Sequence, residues 1–74
     1  MNKLPRGLSG AEVIRALRRV GFYVKRQKGS HVVLRRDNPF AQVVVPAHRS
    51  LDTGTLASIL DTAGLTVEEF EKLL

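Results

Sequence analysis

The fold is decided by residues 22–36, which read FYVKRQKGSHVVLRR. Gly29 and Ser30 separate two runs of residues that favour extended structure. A glycine at the first position of a two-residue connection is typical of a type II′ hairpin turn. We therefore predict a β-hairpin with one strand over 22–28 and a return strand over 31–36.

The alternation of side chains along each strand predicts the face on which the hairpin histidine lies. On the return strand, Val32 and Leu34 share one face, which we expect to be buried, and His31 points to the opposite face. On the first strand, the same alternation places Arg26 and Tyr23 on opposite faces. A shift of the register by one residue would reverse these assignments.

A helix precedes the hairpin, and a strand and two helices follow it. Ser9 and Glu12 have the spacing of a capping box, and apolar residues then recur at helical spacing up to Gly21. Residues 41–45 predict a third strand. The next apolar stripe is helical and ends at Gly64.

A second capping-box pattern, from Thr66 to Glu69, predicts a short last helix. The predicted fold class is therefore α+β: a three-stranded antiparallel sheet with helices on one face, in the order α-β-β-β-α plus a short C-terminal helix. We expect a single domain over residues 1–74, in which residues 1–7 are flexible. One face of the sheet then stays open to solvent or to a ligand.

Positive charge is concentrated in the first half of the chain. The net charge is +5, and residues 1–36 hold ten Lys and Arg with one acidic residue, whereas residues 37–74 hold two basic and six acidic residues. Such asymmetry steers a polyanion to one face, which favours a nucleic-acid partner. A basic surface that serves only solubility is the alternative.

Composition argues against several other classes. The chain has no cysteine, which excludes disulfides and thiolate metal sites. No apolar run approaches the roughly 18 residues of a membrane span, and the N-terminus lacks the apolar segment of a signal peptide. Asp37, Asp52 and Asp61 are too scattered for a two-metal nuclease. We expect a cytoplasmic protein with no membrane partner, no metal and no small-molecule cofactor.

His31 lies in the most basic part of the chain, which suggests RNA cleavage. The reaction needs a base for the 2′-hydroxyl proton, an acid for the leaving 5′ oxygen and positive charge for the phosphorane; histidine can supply either proton transfer near neutral pH. His31 is thus the candidate catalytic residue, and Gly29 shapes the turn that presents it. The candidate RNA-binding residues are Lys25, Arg26, Lys28, Ser30 and Arg35.

Each histidine also has a structural interpretation. An isolated strand histidine is most often partly buried and without a catalytic role, and this alternative holds for His31 when it is considered alone. His48 follows Pro46 in an irregular connection, where it can pack against or cap the next helix. No helix carries a helix-turn-helix recognition pattern, so sequence-specific DNA binding is disfavoured.

A set of short motifs lies along most of the chain. They are Ser9-Gly10, Gly21-Phe22, Arg26-Gln27-Lys28-Gly29-Ser30-His31, Val45-Pro46-Ala47-His48, Gly54-Thr55-Leu56, Ile59-Leu60 and Ala63-Gly64-Leu65. In this order and spacing the chain resembles, over residues 8–74, the HicA family of bacterial mRNA interferase toxins, the YcfA-like proteins.

The resemblance implies a fold like the double-stranded RNA-binding domain and a metal-independent endoribonuclease that cleaves mRNA and arrests translation. It implies that His31 is catalytic and that a HicB-like antitoxin protein covers the active site. It assigns no catalytic role to His48. Val32 and Val33 stand where many relatives have more polar residues, which bears on substrate preference.

Two other functions are compatible with the same sequence. One is a noncatalytic RNA-binding module that uses the same fold and charge. The other is a degenerate toxin that survives as a protein-interaction partner, for which weak RNA affinity with little salt dependence is expected.

Overall fold

The computed structural model describes residues 4–74. Its elements, in chain order, are α1 (Gly10–Arg18), β1 (Tyr23–Lys28), β2 (His31–Asp37), β3 (Phe40–Pro46), α2 (Thr53–Ala63) and α3 (Val67–Glu71). This order confirms the predicted α+β fold with a short C-terminal helix, an arrangement consistent with that of a double-stranded RNA-binding domain.

Side-chain caps fix where the helices begin. The Ser9 hydroxyl accepts a hydrogen bond from the Glu12 amide at 3.1 Å, and the Glu12 carboxylate accepts one from the Ser9 amide at 2.9 Å. Thr66 and Glu69 form the same reciprocal pair at the start of α3. Both predicted capping boxes are therefore confirmed. The bonds to Ser9 hold the pKa of Glu12 below its ordinary value.

The sheet is antiparallel, and β2 is its central strand. Val32 pairs with Val45, and Leu34 pairs with Val43; all four side chains are buried under the helices. Paired residues of an antiparallel ladder share a face. The opposite face therefore carries every second residue of β2, beginning with His31, and the residues paired with them. The helices therefore cover one face, as predicted.

The core is one cluster to which every element except β1 contributes a buried residue. Leu17 of α1, Leu34 of β2, Leu56 of α2 and Phe70 of α3 are all fully buried. Phe70 is the largest of the fully buried side chains, so the short last helix completes the core.

A β-bulge in β1 corrects the predicted alternation on that strand. Tyr23 pairs with Arg35, but the register shifts between Val24 and Arg26, so that Arg26 pairs with Val33. Lys25 is the additional residue. The prediction that Arg26 and Tyr23 lie on different faces was therefore wrong: both share the face of His31. An alternation count assumes one residue opposite one residue, and a bulge breaks that rule.

The segment before α1 runs along the domain without forming a helix or a strand. Leu4 is partly buried against the core, and the Leu8 carbonyl accepts a hydrogen bond from the Leu51 amide at 2.7 Å. The predicted flexibility of residues 1–7 falls in part on residues 1–3, which lie outside the described residues. Over residues 4–74, no helix has the length and apolar character needed to cross a membrane.

Candidate functional site

The sheet face opposite the helices, here called the open face, contains His31 and most of the predicted RNA-binding cations. The register assigns eleven residues to it: Tyr23, Arg26 and Lys28 on β1, His31, Val33, Arg35 and Asp37 on β2, and Phe40, Gln42, Val44 and Pro46 on β3. Val33 is buried on this face, because it lies on the central strand between neighbours on both sides.

His31 is the first residue of the central strand and is exposed. It pairs with Lys28 on β1 and with Pro46 on β3. The prediction that His31 lies on the face opposite the helices is therefore confirmed. His31 and Lys28 are therefore cross-strand neighbours on the open face, and both are exposed to solvent.

The hairpin turn that presents His31 is held by local hydrogen bonds. Gly29 has φ +58°, and Ser30, like every other described residue that is not glycine, has negative φ. A type II′ turn requires positive φ at its first central residue only, so both values fit that turn. The Gln27 side-chain amide donates to the Gly29 carbonyl at 3.1 Å. The Ser30 carbonyl accepts from the Ala47 amide at 2.6 Å, which ties the turn to the loop after β3.

The predicted RNA-binding residues divide into two groups. Arg26, Lys28 and Arg35 lie on the open face with His31, and Arg35 is about 13 Å along the strand from it at the usual rise of about 3.3 Å per residue. Lys25 is exposed at the bulge and has no partner in the ladder. Ser30 is exposed at the tip of the turn.

At the other end of the open face lies an aromatic and polar cluster that sequence reasoning missed. The Tyr23 hydroxyl donates to the Asp37 carboxylate at 3.1 Å, and the Arg35 Nε donates to the Gln42 side-chain oxygen at 3.0 Å. The Arg35 guanidinium carbon lies 5.6 Å from the centroid of the Phe40 ring. The sequence predicted that β3 begins at Ala41, one residue too late, and so assigned Phe40 to no element.

Desolvation raises the pKa of Tyr23, and its hydrogen bond to Asp37 raises that pKa further. Both effects favour the neutral phenol, which can donate a hydrogen bond. The Asp37 carboxylate is the acceptor that faces Tyr23 across the end of the sheet.

His48 lies on the helix side of the hairpin, away from the open face. It lines a cleft of about 370 Å³ together with Gln27 and Val32, whose side chains point towards the helices. The His48 carbonyl accepts a hydrogen bond from the Gly10 amide at 2.9 Å. A Cβ atom at Gly10 would overlap the Pro46 carbonyl oxygen, so α1 approaches this loop as closely as only glycine permits.

The arrangement of the open face can bind an extended polyanion along β2 and offers one titratable imidazole at its end. Within residues 4–74, no three side chains of His, Cys, Asp or Glu come together as the ligands of a metal ion.

Comparison with known proteins gives one clear relationship. A family model described as HicA toxin of bacterial toxin-antitoxin matches residues 10–65, from the first residue of α1 to the residue after the Gly64 cap. The match includes the whole sheet and leaves α3 outside. No curated protein matches the chain in sequence.

Proposed function

The chain belongs to the HicA toxin family of bacterial toxin-antitoxin systems, and we propose that it is a metal-independent endoribonuclease that cleaves mRNA and so blocks translation. In this proposal His31 is the catalytic acid or base. Arg26, Lys28 and Arg35 bind phosphates along the open face. Ser30 binds the RNA at the turn, and Lys25 binds it more weakly from the bulge.

RNA supplies its own nucleophile. A base takes the proton from a 2′-hydroxyl, and the 2′ oxygen attacks the adjacent phosphorus. The bond from phosphorus to the 5′ oxygen then breaks, an acid protonates that oxygen, and a 2′,3′-cyclic phosphate remains. One positioned acid or base contributes about 10²- to 10⁴-fold. The imidazole of His31 suits either role because its ordinary pKa lies near neutrality.

One observation carries the proposal: an exposed histidine with a lysine directly opposite it on the same face of the sheet. Residues opposite each other in an antiparallel ladder have Cβ atoms about 4.5–5.5 Å apart. The Lys28 ammonium can therefore reach the phosphate on which His31 acts. A cation at that position stabilises the negative charge that develops on the phosphorane oxygens.

Membership of the family implies a cognate antitoxin partner. We propose that this partner is a HicB-like protein that covers the open face and so excludes RNA from His31. The positive charge of Arg26, Lys28 and Arg35 predicts that the covering surface is acidic.

The test compares His31→Ala with His48→Ala in purified protein incubated with mRNA in the presence of EDTA. We expect the wild type and His48→Ala to cleave, because His48 lies off the open face, and we expect His31→Ala to lose cleavage while it keeps its fold and its RNA affinity. Expression of His31→Ala should no longer arrest growth.

Two results would contradict the proposal. Cleavage by His31→Ala at the wild-type rate would remove His31 from the chemistry. Tight RNA binding by the wild type without any cleavage would favour a noncatalytic RNA-binding module instead.

A further inference from the structure

We propose that the Phe40 ring, with the Arg35 guanidinium beside it, is a nucleobase-binding subsite at the end of the open face remote from His31. The ligand is an unpaired base of the single-stranded RNA that His31 cleaves, so this inference rests on the proposed function and extends it to substrate selection.

Phe40 is exposed to an extent that a structural role does not explain. Its relative exposure is 67%, compared with 3% for Phe22 and 0% for Phe70, the other two phenylalanines of the chain. Five large hydrophobic side chains are exposed over the described chain, and three of them, Tyr23, Phe40 and Val44, lie on the open face. The apolar surface is therefore gathered on the same side as His31.

Polar side chains next to Phe40 are held in position by hydrogen bonds. Arg35 is held by Gln42 at 3.0 Å and lies over the Phe40 ring, most of which is still open to a ligand. The side-chain oxygen of Gln42 is occupied by Arg35, so its NH₂ group remains as a donor. The Asp37 carboxylate, at the paired position on β2, accepts from Tyr23 and has lone pairs left for a further hydrogen bond. A stacked base would thus find a donor and an acceptor near its edge.

The distance from His31 suits a short RNA segment. Phe40 pairs with Asp37, six residues along β2 from His31, which corresponds to about 20 Å. Sheets of the RRM type stack two or three bases on exposed aromatic residues. A single strand that follows β2 from His31 to Phe40 would pass Arg35, whose charge can bind an intervening phosphate.

In the protein without its partner, RNA fits the open face at both ends, because a row of cations leads to an exposed aromatic ring. The face carries Arg26, Lys28 and Arg35 against one acidic residue, Asp37. Regularly spaced phosphates complement that row of cations, and base stacking on an aromatic ring tolerates any sequence because every base has a π-face.

The experiment uses the His31→Ala protein, which keeps the RNA intact, and measures its affinity for a short unstructured RNA at several salt concentrations. Adding Phe40→Ala should weaken binding by about 5- to 150-fold, the usual range for losing one base stack. The slope of affinity against salt should stay unchanged, because no phosphate contact is lost. Leu74→Ala removes an equally apolar side chain, 52% exposed, and should leave affinity unchanged.

A second variant reports on stacking directly. The chain contains no tryptophan, so Phe40→Trp introduces a unique tryptophan at the subsite, whose emission can be excited apart from that of Tyr23. We expect this variant to bind RNA at least as tightly as its parent. Its emission should be quenched by the RNA and much less by an abasic strand of the same length and charge.

Three outcomes would overturn the inference. They are an unchanged RNA affinity in Phe40→Ala, quenching of Phe40→Trp that is equal for the abasic strand, and a loss confined to binding of an acidic partner protein. The proposed nuclease function is tested separately, by cleavage in the wild type and its loss in His31→Ala. A result that contradicts the base-binding subsite is therefore distinct from one that contradicts the nuclease function.

Discussion

Lys28 and His31 face each other across the hairpin as the last register pair before the turn. The Gly29-Ser30 turn sets this pair, and the bond from Ala47 to the Ser30 carbonyl anchors it. The backbone ladder thus makes Lys28 and His31 neighbours on the open face, since the residues on both sides of the turn are fixed in register.

Replacement of Lys28 by alanine should lower kcat/KM for RNA cleavage on the order of 100-fold, because the cation that stabilises the phosphorane charge is lost. Lys28→Arg should keep most of the activity, since it preserves the charge at the same position. Steady-state kinetics on a short RNA substrate would measure both effects.

Lys25→Ala is the matched control for Lys28. It removes the same charge from the same strand, but at the bulge, where the residue has no partner in the ladder. We expect Lys25→Ala to reduce kcat/KM much less than Lys28→Ala. Equal losses in the two variants would mean that only net charge matters and that the pairing with His31 does not.

The bulge also marks the limit of what the sequence could predict about the fold. Element order, both capping boxes and the turn depend on local chemistry at Ser9, Gly29 and Thr66, and sequence reasoning identified them. The position of the extra residue in β1 depends on the register in which that strand pairs with β2. No residue near Lys25 marks such a bulge, so the face of Arg26 was predicted wrongly.

The candidate site could also be predicted only where local pattern determines the geometry. The face of His31 followed from alternation on β2, which has no bulge, because Val32 and Leu34 must point into the core. The place of Phe40 on the open face could not be predicted, because it depends on the residue at which β3 begins and on the contact with Arg35. A phenylalanine in a sequence is normally expected to be buried.

Gly10→Ala should destabilise the domain, because the new Cβ would overlap the Pro46 carbonyl oxygen and push α1 away from the loop that ends at His48. Overpacking against a fixed neighbour costs roughly 1–3 kcal/mol, which lowers the Tm of a domain of this size on the order of 10 °C. Thermal unfolding followed by circular dichroism measures the change.

Gly54→Ala is the control for Gly10→Ala, because Gly54 also lies in the first turn of a helix. A Cβ there would meet only the Asp52 carboxylate at an ordinary contact distance of 3.5 Å. We expect a Tm equal to or slightly above that of the wild type, since alanine restricts the unfolded chain. An equal loss of stability at both glycines would contradict the close approach of α1 to the loop.

Phe70→Ala should unfold most of the protein at ordinary temperature. Phe70 is fully buried, and removal of a buried phenylalanine costs about 3–5 kcal/mol, which is a large part of the stability of a small domain. Phe40→Ala, by comparison, should change the free energy of unfolding by less than about 0.5 kcal/mol, because the ring is mostly exposed. Urea unfolding of the two variants would test whether α3, outside the family match, belongs to the core.

Tyr23 is the only tyrosine of the chain, and there is no tryptophan, so the ultraviolet absorbance of phenolate reports on this residue alone. Desolvation and the hydrogen bond to Asp37 raise its pKa, and we expect its titration midpoint above the ordinary value of about 10. Asp37→Asn should lower the midpoint, whereas Asp61→Asn on α2 should not.

The sign of the effect on stability follows from the same shift. Below the ordinary pKa, Tyr23 is neutral in the folded and the unfolded protein, and its contribution to stability is fully present. As the pH rises through the raised pKa of the folded state, the unfolded chain loses the proton first, and that contribution is lost. The free energy of unfolding should therefore fall above about pH 10 in the wild type, and less steeply in Asp37→Asn. A midpoint at or below the ordinary value, or one unchanged in Asp37→Asn, would mean that the Tyr23–Asp37 contact does not persist in solution.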